Sequence, residues 1–187
     1  MSLSKLVEKW RRGHPSPMMF VSLGIGTAVA VVLIVVVSLL TGGRSPVNAL
    51  VGTEASSFTL PSLAGGSLIA PYTKGHPTVV VFMASYCAPC RAELPHLVAY
   101  LSDHSTGSVR VIGVDTGDQR RAGLTFVHHD AVPFPVAFDP NSTVAASFQL
   151  QGIPDTVFVN AQGKVTNVVI GKITPAQFAS DVAAINS

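Results

Sequence analysis

The sequence predicts an α/β fold in which helices pack on a mixed central sheet, and three observations carry that expectation. Thr78-Val79-Val80-Val81-Phe82-Met83 is a continuous β-branched and aromatic run, the pattern of a strand buried on both faces, and Val109 to Val114 reads as a second buried strand. Segments of helical pattern alternate with such strands along the chain. Near the end, Thr156 to Asn160 and Lys164 to Ile170 flank the turn Asn160-Ala161-Gln162-Gly163, which predicts an antiparallel hairpin closing the sheet.

The chain has 187 residues, enough for one globular domain with something attached. The attachment is residues 18–40, MMFVSLGIGTAVAVVLIVVVSLL, which contain no charge and no proline. About 20 such residues at 1.5 Å rise cross a hydrocarbon core of roughly 30 Å, so this stretch is expected to be a single transmembrane helix. A cleaved signal peptide ending near Val47-Asn48-Ala49 is the competing reading, but its apolar core would normally be only about 7–15 residues. Lys5, Lys9, Arg11 and Arg12 precede the span and Arg44 alone follows it closely, which places the N-terminus in the cytoplasm and everything beyond the span outside it. The expected organisation is a cytoplasmic tail at 1–17, a signal-anchor at 18–40, a linker at 41–50 and a domain at 51–187.

Within the domain, Ser57 to Leu60 and Ser67 to Ile69 around Ala64-Gly65-Gly66 suggest a small β-hairpin. After the Thr78–Met83 strand the pattern turns helical from Ala88 to Ser102, with an interruption expected at Pro95. A strand at Val109 to Val114, a helix at Gln119 to His128, a short strand at Pro135 to Phe138 and a short helix at Ser142 to Phe148 follow. The last helix begins with Thr174 as N-cap and Pro175 at its first position.

The net charge of +2 belongs to the N-terminal tail and its flank. Beyond Pro46 the seven basic residues are Lys74, Arg91, Arg110, Arg120, Arg121, Lys164 and Lys172, and nine Asp and Glu outnumber them. There is no basic stripe with interleaved aromatics, which argues against a nucleic-acid partner.

The only cysteines, Cys87 and Cys90, stand three positions apart just after a buried strand, where the next helix begins. A helix N-terminus carries about half a positive charge and unpaired N–H donors, both favouring a thiolate. In such C-x-x-C settings a thiol pKa of about 8.5 falls to roughly 3.5–7.5. Cys87 is expected to be the nucleophile and Cys90 the resolving thiol, with Pro89 helping the helix to start. Two other readings compete. A structural disulfide over so short a loop removes little unfolded-state entropy, and a zinc site needs four ligands where no second cysteine pair exists.

From Val51 onward the chain resembles the membrane-anchored, thioredoxin-like TlpA/ResA family of thiol-disulfide oxidoreductases. The resemblance rests on an ordered series: Phe58-Thr59-Leu60-Pro61 with Gly65-Gly66, Phe82-Met83-Ala84-Ser85 before Cys87-Ala88-Pro89-Cys90-Arg91-Ala92-Glu93-Leu94-Pro95, Gly113-Val114-Asp115, Pro133-Phe134-Pro135 with Asp139, Gly152-Ile153-Pro154, Phe158-Val159-Asn160 with Gly163, and Gly171. It implies a thioredoxin-like sandwich with an added N-terminal β-hairpin and needs no cofactor. It also implies client proteins with disulfides or thiols, a membrane electron donor and a link to cytochrome c maturation, with reduction as the favoured direction. Pro154 matches the family's cis-proline, and the backbone of Ile153 would pair with a bound peptide as an added strand; an ordinary trans proline is the alternative. Glu93 falls where ResA-like members keep an acid that exchanges protons with the thiols or raises their pKa, though a first-turn glutamate also simply complements a helix dipole. Two departures stand out. Val81 occupies the place of the buried aspartate of thioredoxins, and Tyr86 replaces the usual tryptophan before the first cysteine, offering partners a different aromatic contact.

His128 and His129 raise an alternative from the binding class, a Sco-like copper chaperone combining two cysteines with a distant histidine. Adjacent helical residues point about 100° apart, however, and cannot both face one ion, and Sco-like cysteines are spaced by three residues rather than two. Peroxiredoxins place a threonine three positions before the peroxidatic cysteine, where this chain has Ala84. His14, His76, His96 and His104 stand singly, so no metal site is expected. Asp155, directly after Pro154, lies close enough to the cysteines to affect partner choice.

Overall fold

The computed structural model describes residues 30–36, 49–70 and 75–186. Of the N-terminal unit only 30–36 are described; they are helical and their apolar side chains are exposed. The rest of the expected span at 18–40, and the tail before it, lie outside the described residues. Among the described residues no helix is long and apolar enough to cross a membrane.

The C-terminal unit is built on a five-stranded sheet of order β5-β4-β3-β6-β7. Its strands are β3 (Thr78–Met83), β4 (Arg110–Thr116), β5 (Val136–Asp139), β6 (Asp155–Val159) and β7 (Val165–Ile170). β3 pairs in parallel with β4 and β4 with β5, while β6 runs antiparallel to both β3 and β7. β3 is central, and all six of its residues are buried, which explains why its sequence shows no polar alternation. The helices are α1 (Ala88–Asp103), α2 (Arg120–His129), α3 (Thr143–Ser147) and α4 (Pro175–Ile185).

Two apolar layers sandwich the sheet. Val79, Val81, Met83 and Phe158 pack with Leu94 and Leu97 of α1, Phe126 of α2 and Phe178 and Val182 of α4. Val80, Phe82, Ile112 and Val157 on the other face pack with Val144 of α3, with Phe148 just after it, and with Leu50 and Ile69. This is the expected thioredoxin-like α/β sandwich.

The expected N-terminal hairpin is present as β1 (Leu60–Pro61) and β2 (Leu68–Ile69), paired antiparallel. It docks on the exposed side of β5, where the Leu63 N–H donates to the Val136 carbonyl at 2.8 Å. Arg120 fixes it from α2, with Nη1 donating to the carbonyls of Ser62 (2.8 Å) and Leu63 (2.7 Å) and the guanidinium 4.2 Å from the centre of the Phe138 ring. The hairpin thereby covers an edge strand that would otherwise offer unpaired backbone groups.

One expectation is corrected. Pro95 does not interrupt α1, which runs from Ala88 to Asp103 with the proline inside it. A proline in a helix interior costs about 3 kcal/mol because the i−4 carbonyl loses its donor. Here Arg91 and Pro95 are both exposed, while Leu94 and Leu97 anchor the buried side of the helix.

Candidate redox site

The C-terminal end of β3 delivers the chain through Ala84, Ser85 and Tyr86 to Cys87, which is the N-cap of α1. Cys87 and Cys90 are joined in a disulfide with their Cα atoms 5.2 Å apart. The Cys90 N–H donates to Cys87 Sγ at 3.1 Å, so one of the orphan donors of the helix start is aimed at this sulfur. When the pair is reduced, that donor and the helix dipole favour the anionic form of the Cys87 sulfur. Both cysteines are buried, Cys87 at 5% exposure and Cys90 at 2%, with Ala88 and Pro89 exposed between them.

The Ile153–Pro154 bond is cis, as the resemblance implied. The β3–β6 ladder ends at the Phe82–Asp155 pair, so Ile153 and Pro154 lie just beyond it, beside the disulfide. The Ile153 carbonyl oxygen is 3.6 Å from Cys87 Sγ. A disulfide sulfur carries no proton, so this is a packing contact in the oxidised state and becomes an S–H acceptor position only in the thiol. Tyr86 is 63% exposed, and its hydroxyl donates to the Thr116 carbonyl at 3.4 Å. Tyr86, Ile153, Pro154 and the cysteines thus gather at one end of the sheet.

Glu93 is one helical turn below Cys90, on the same face of α1, and is buried. Its Oε2 accepts the Ile173 N–H at 2.6 Å. Burial pushes its carboxyl up to about 7, against the lowering effects of the Ile173 donor and Lys172; the charge of Asp155 adds a smaller rise. Asp155 is itself buried and raised by desolvation, with Oδ1 accepting the Gly171 N–H at 3.0 Å and Oδ2 without a partner among the described residues. Val81 is fully buried in the apolar layer, so this chain has no acid at that point of β3 and carries its buried acids elsewhere.

Sequence reasoning missed Asp118, which binds the Ser85 N–H through Oδ2 and the Gln119 N–H through Oδ1, both at 2.6 Å. It also gave Asp115 no role beyond its place in a matching motif. The signal was available in Gly113-Val114-Asp115-Thr116-Gly117-Asp118, one acid on a strand and a second just past its end, followed by Gly123 inside a helix.

His128 and His129 end α2, with His129 Nδ1 2.8 Å from Asp130 Oδ1. Among the described residues no group of three or more His, Cys, Asp or Glu is placed to hold a metal ion. The copper-chaperone alternative therefore finds no support in the placement of its own candidate ligands.

Comparison with known proteins agrees with this geometry. The thiol-disulfide oxidoreductase ResA of Bacillus subtilis is 28% identical over 123 residues, covering 66% of this chain and 69% of that protein. The sporulation thiol-disulfide oxidoreductase A of the same species is 24% identical over 123 residues, 64% of this chain and 74% of its own. Among solved structures, MTB DsbF, determined in mixed oxidised and reduced forms, superposes with a TM-score of 0.62 at 28% identity, covering 68% of this chain and 94% of its own. The crystal structure of StoA from Bacillus subtilis, at 23% identity and a TM-score of 0.60 over 68% of this chain and 96% of its own, shares the fold. The model of the AhpC/TSA family matches residues 51–168, well over half of the sequence, and the chain belongs to that family.

Proposed function

We propose that the protein is a thiol-disulfide oxidoreductase that reduces disulfides in client proteins outside the cytoplasm while held to the membrane by residues 18–40. The observation that carries the reading is the Cys87 sulfur at the mouth of α1 with the Cys90 N–H donated to it. The Cys87 thiolate attacks a client disulfide, forming a mixed disulfide and expelling one client sulfur as thiolate, which takes up a proton. Cys90, deprotonated by Glu93, then attacks Cys87 Sγ, expelling the second client sulfur and closing the Cys87–Cys90 disulfide. Two electrons have passed to the client. A dithiol donor in the membrane returns two electrons and two protons to the pair.

Ile153 lies beyond the last β3–β6 ladder pair, where an extended client segment would add as a strand, and exposed Tyr86 supplies an apolar contact beside Cys87. Apocytochrome c is the client class that the ResA-like resemblance favours. The test is reduction of insulin by the full-length chain. Cys87→Ser is expected to abolish turnover, and Cys90→Ser to accumulate a covalent adduct with the substrate. Undiminished turnover in Cys87→Ser would remove the thiol mechanism, and a couple more oxidising than about −180 mV would reverse the proposed direction.

A further inference from the structure

The corner that presents Cys87 is held from behind by the end of β4 and the loop after it. Asp118 grips the Ser85 N–H at 2.6 Å, and the Tyr86 hydroxyl reaches the Thr116 carbonyl at 3.4 Å. Behind Asp118, near the end of β4, Asp115 is fully buried, and no donor among the described residues reaches either of its carboxyl oxygens. An ionised carboxylate in that position is shut off from bulk solvent and meets no hydrogen-bond donor among the described residues, which is strongly unfavourable. As a neutral acid it has an O–H to donate, and Asp118 is the acceptor beside it.

The chamber is shaped for this group. Asp115 faces Gly123 in the interior of α2, where any added Cβ would overlap the Asp115 Oδ2 and come within 2.8 Å of its Cγ. Glycine in a helix interior costs about 0.5–1 kcal/mol relative to alanine, and the space it leaves is the space the carboxyl occupies. The strand neighbours of Asp115, Met83 on β3 and Phe138 on β5, carry no charge. The charged groups that bear on it are Asp118 in the loop and Arg120 in the first turn of α2. Arg120 is committed to the Ser62 and Leu63 carbonyls and to the Phe138 ring.

We propose that Asp115 is a positioning residue of the redox corner: as a neutral acid it donates to Asp118 and steadies the Asp118–Ser85 clasp that sets Cys87 at the start of α1, and on losing its proton it loosens that clasp. The environment supports a switch near neutrality. Burial, then the charge of Asp118, then the hydrogen bond to Asp118 push the Asp115 carboxyl up to about 7, opposed by Arg120. Cysteine presentation is therefore firmest in mildly acidic solution and weaker above neutral pH. The inference rests on the oxidoreductase reading for its consequence, but the clasp can be observed without any thiol chemistry.

The experiment is an NMR titration of the oxidised full-length chain from acid to alkaline pH, in which neither cysteine titrates. The Asp115 carboxyl 13C signal is expected to titrate near 7, and the Ser85 and Gln119 amide signals to move with the same midpoint. In Asp115→Asn, whose side-chain amide still donates to Asp118 but cannot ionise, the amide titration should vanish. In Glu93→Gln it should persist. A wild-type Asp115 signal that titrates in the ordinary carboxylate range overturns the proposal without any variant. So does an amide titration lost in Glu93→Gln but kept in Asp115→Asn. A companion readout is the pH profile of insulin reduction, in which Asp115→Asn should lose the decline in rate per thiolate above neutral pH. If the amides behave as stated while insulin is not reduced at all, the clasp stands and the oxidoreductase reading fails.

Discussion

Glu93 and Asp115 are both buried carboxyl groups beside the redox corner, and burial is the main force that raises each to about 7. Their partners differ. Glu93 receives the Ile173 N–H at 2.6 Å and feels Lys172, so its charged form has both a donor and a counter-charge. Asp115 receives no donor among the described residues, and the charge that raises it is that of Asp118. A group with support for both protonation states is suited to passing a proton back and forth at neutral pH. A group satisfied only as an acid is suited to holding a neighbour in place. Burial alone does not assign a role; the donors that reach the charged form do.

The largest expected effect separates the two acids by rate. If Glu93 takes the proton from Cys90, Glu93→Gln should slow release of the mixed disulfide by about 100-fold at neutral pH, the lower end of what positioned general bases contribute. Stopped-flow quenching of the mixed disulfide reads this step directly. Asp115→Asn acts only through the corner and should slow the same step much less. Equal losses in the two variants would erase the distinction drawn here.

Packing provides the next test. Gly123→Ala drives a methyl group into Asp115 Oδ2 and should cost about 1–3 kcal/mol as an overpacked site. Up to about 1 kcal/mol returns through helix propensity. Urea unfolding of Gly123→Ala, Asp115→Ala and the double variant closes a cycle, in which a favourable coupling of about 1 kcal/mol or more is expected. If Gly123→Ala alone raises stability, the carboxyl is not where the chamber argument puts it.

A smaller effect concerns stability against pH. Glu93, Asp115 and Asp155 all have folded-state values raised above their unfolded ones, so the folded chain binds these protons more tightly. The contribution of all three is complete below the unfolded values near 4 and is lost as pH climbs toward the raised folded values, which for Glu93 and Asp115 lie at about 7. Asp115→Asn removes one such loss. Its urea midpoint should therefore gain on the wild type between pH 5 and pH 8, and a constant difference between the two chains would show that Asp115 does not titrate in that window.

The fold was legible because its central strand is chemically uniform. Thr78–Met83 is buried throughout, and its run of β-branched and aromatic residues marks it with the bounds that the sequence suggests. Caps were legible too: Thr174 accepts the Gln177 N–H at 3.2 Å, as the Thr-Pro pair predicts. At the site, Cys87, Cys90 and the cis Ile153–Pro154 bond follow from spacing and resemblance. What escaped is what depends on distant chain. Ser85 and Asp118 are 33 residues apart, and Glu93 meets Ile173 across 80, so no local pattern announces either bond. Pro95 misled for the opposite reason. Local propensity argues for a break, and burial of Leu94 and Leu97 on the far side of the helix overrides it.

The smallest effect tests whether the corner is held by one clasp or two. Tyr86 reaches the Thr116 carbonyl through a hydroxyl at 3.4 Å, a long contact on a side chain that is 63% exposed, whereas Asp118 holds Ser85 at 2.6 Å through an ionised acceptor. Charge-assisted hydrogen bonds are roughly twice as strong as neutral ones, and water readily replaces an exposed neutral bond. Tyr86→Phe should therefore change stability by less than about 0.5 kcal/mol and leave the Ser85 amide titration intact, while keeping the aromatic surface that a client meets. Asp118→Asn keeps an acceptor but removes the charge, and should weaken the corner more than loss of the tyrosine hydroxyl does. Should Tyr86→Phe instead displace the Ser85 signal as far as Asp118→Asn does, the weight of the corner rests on the aromatic side chain, and the acid pair behind it is secondary.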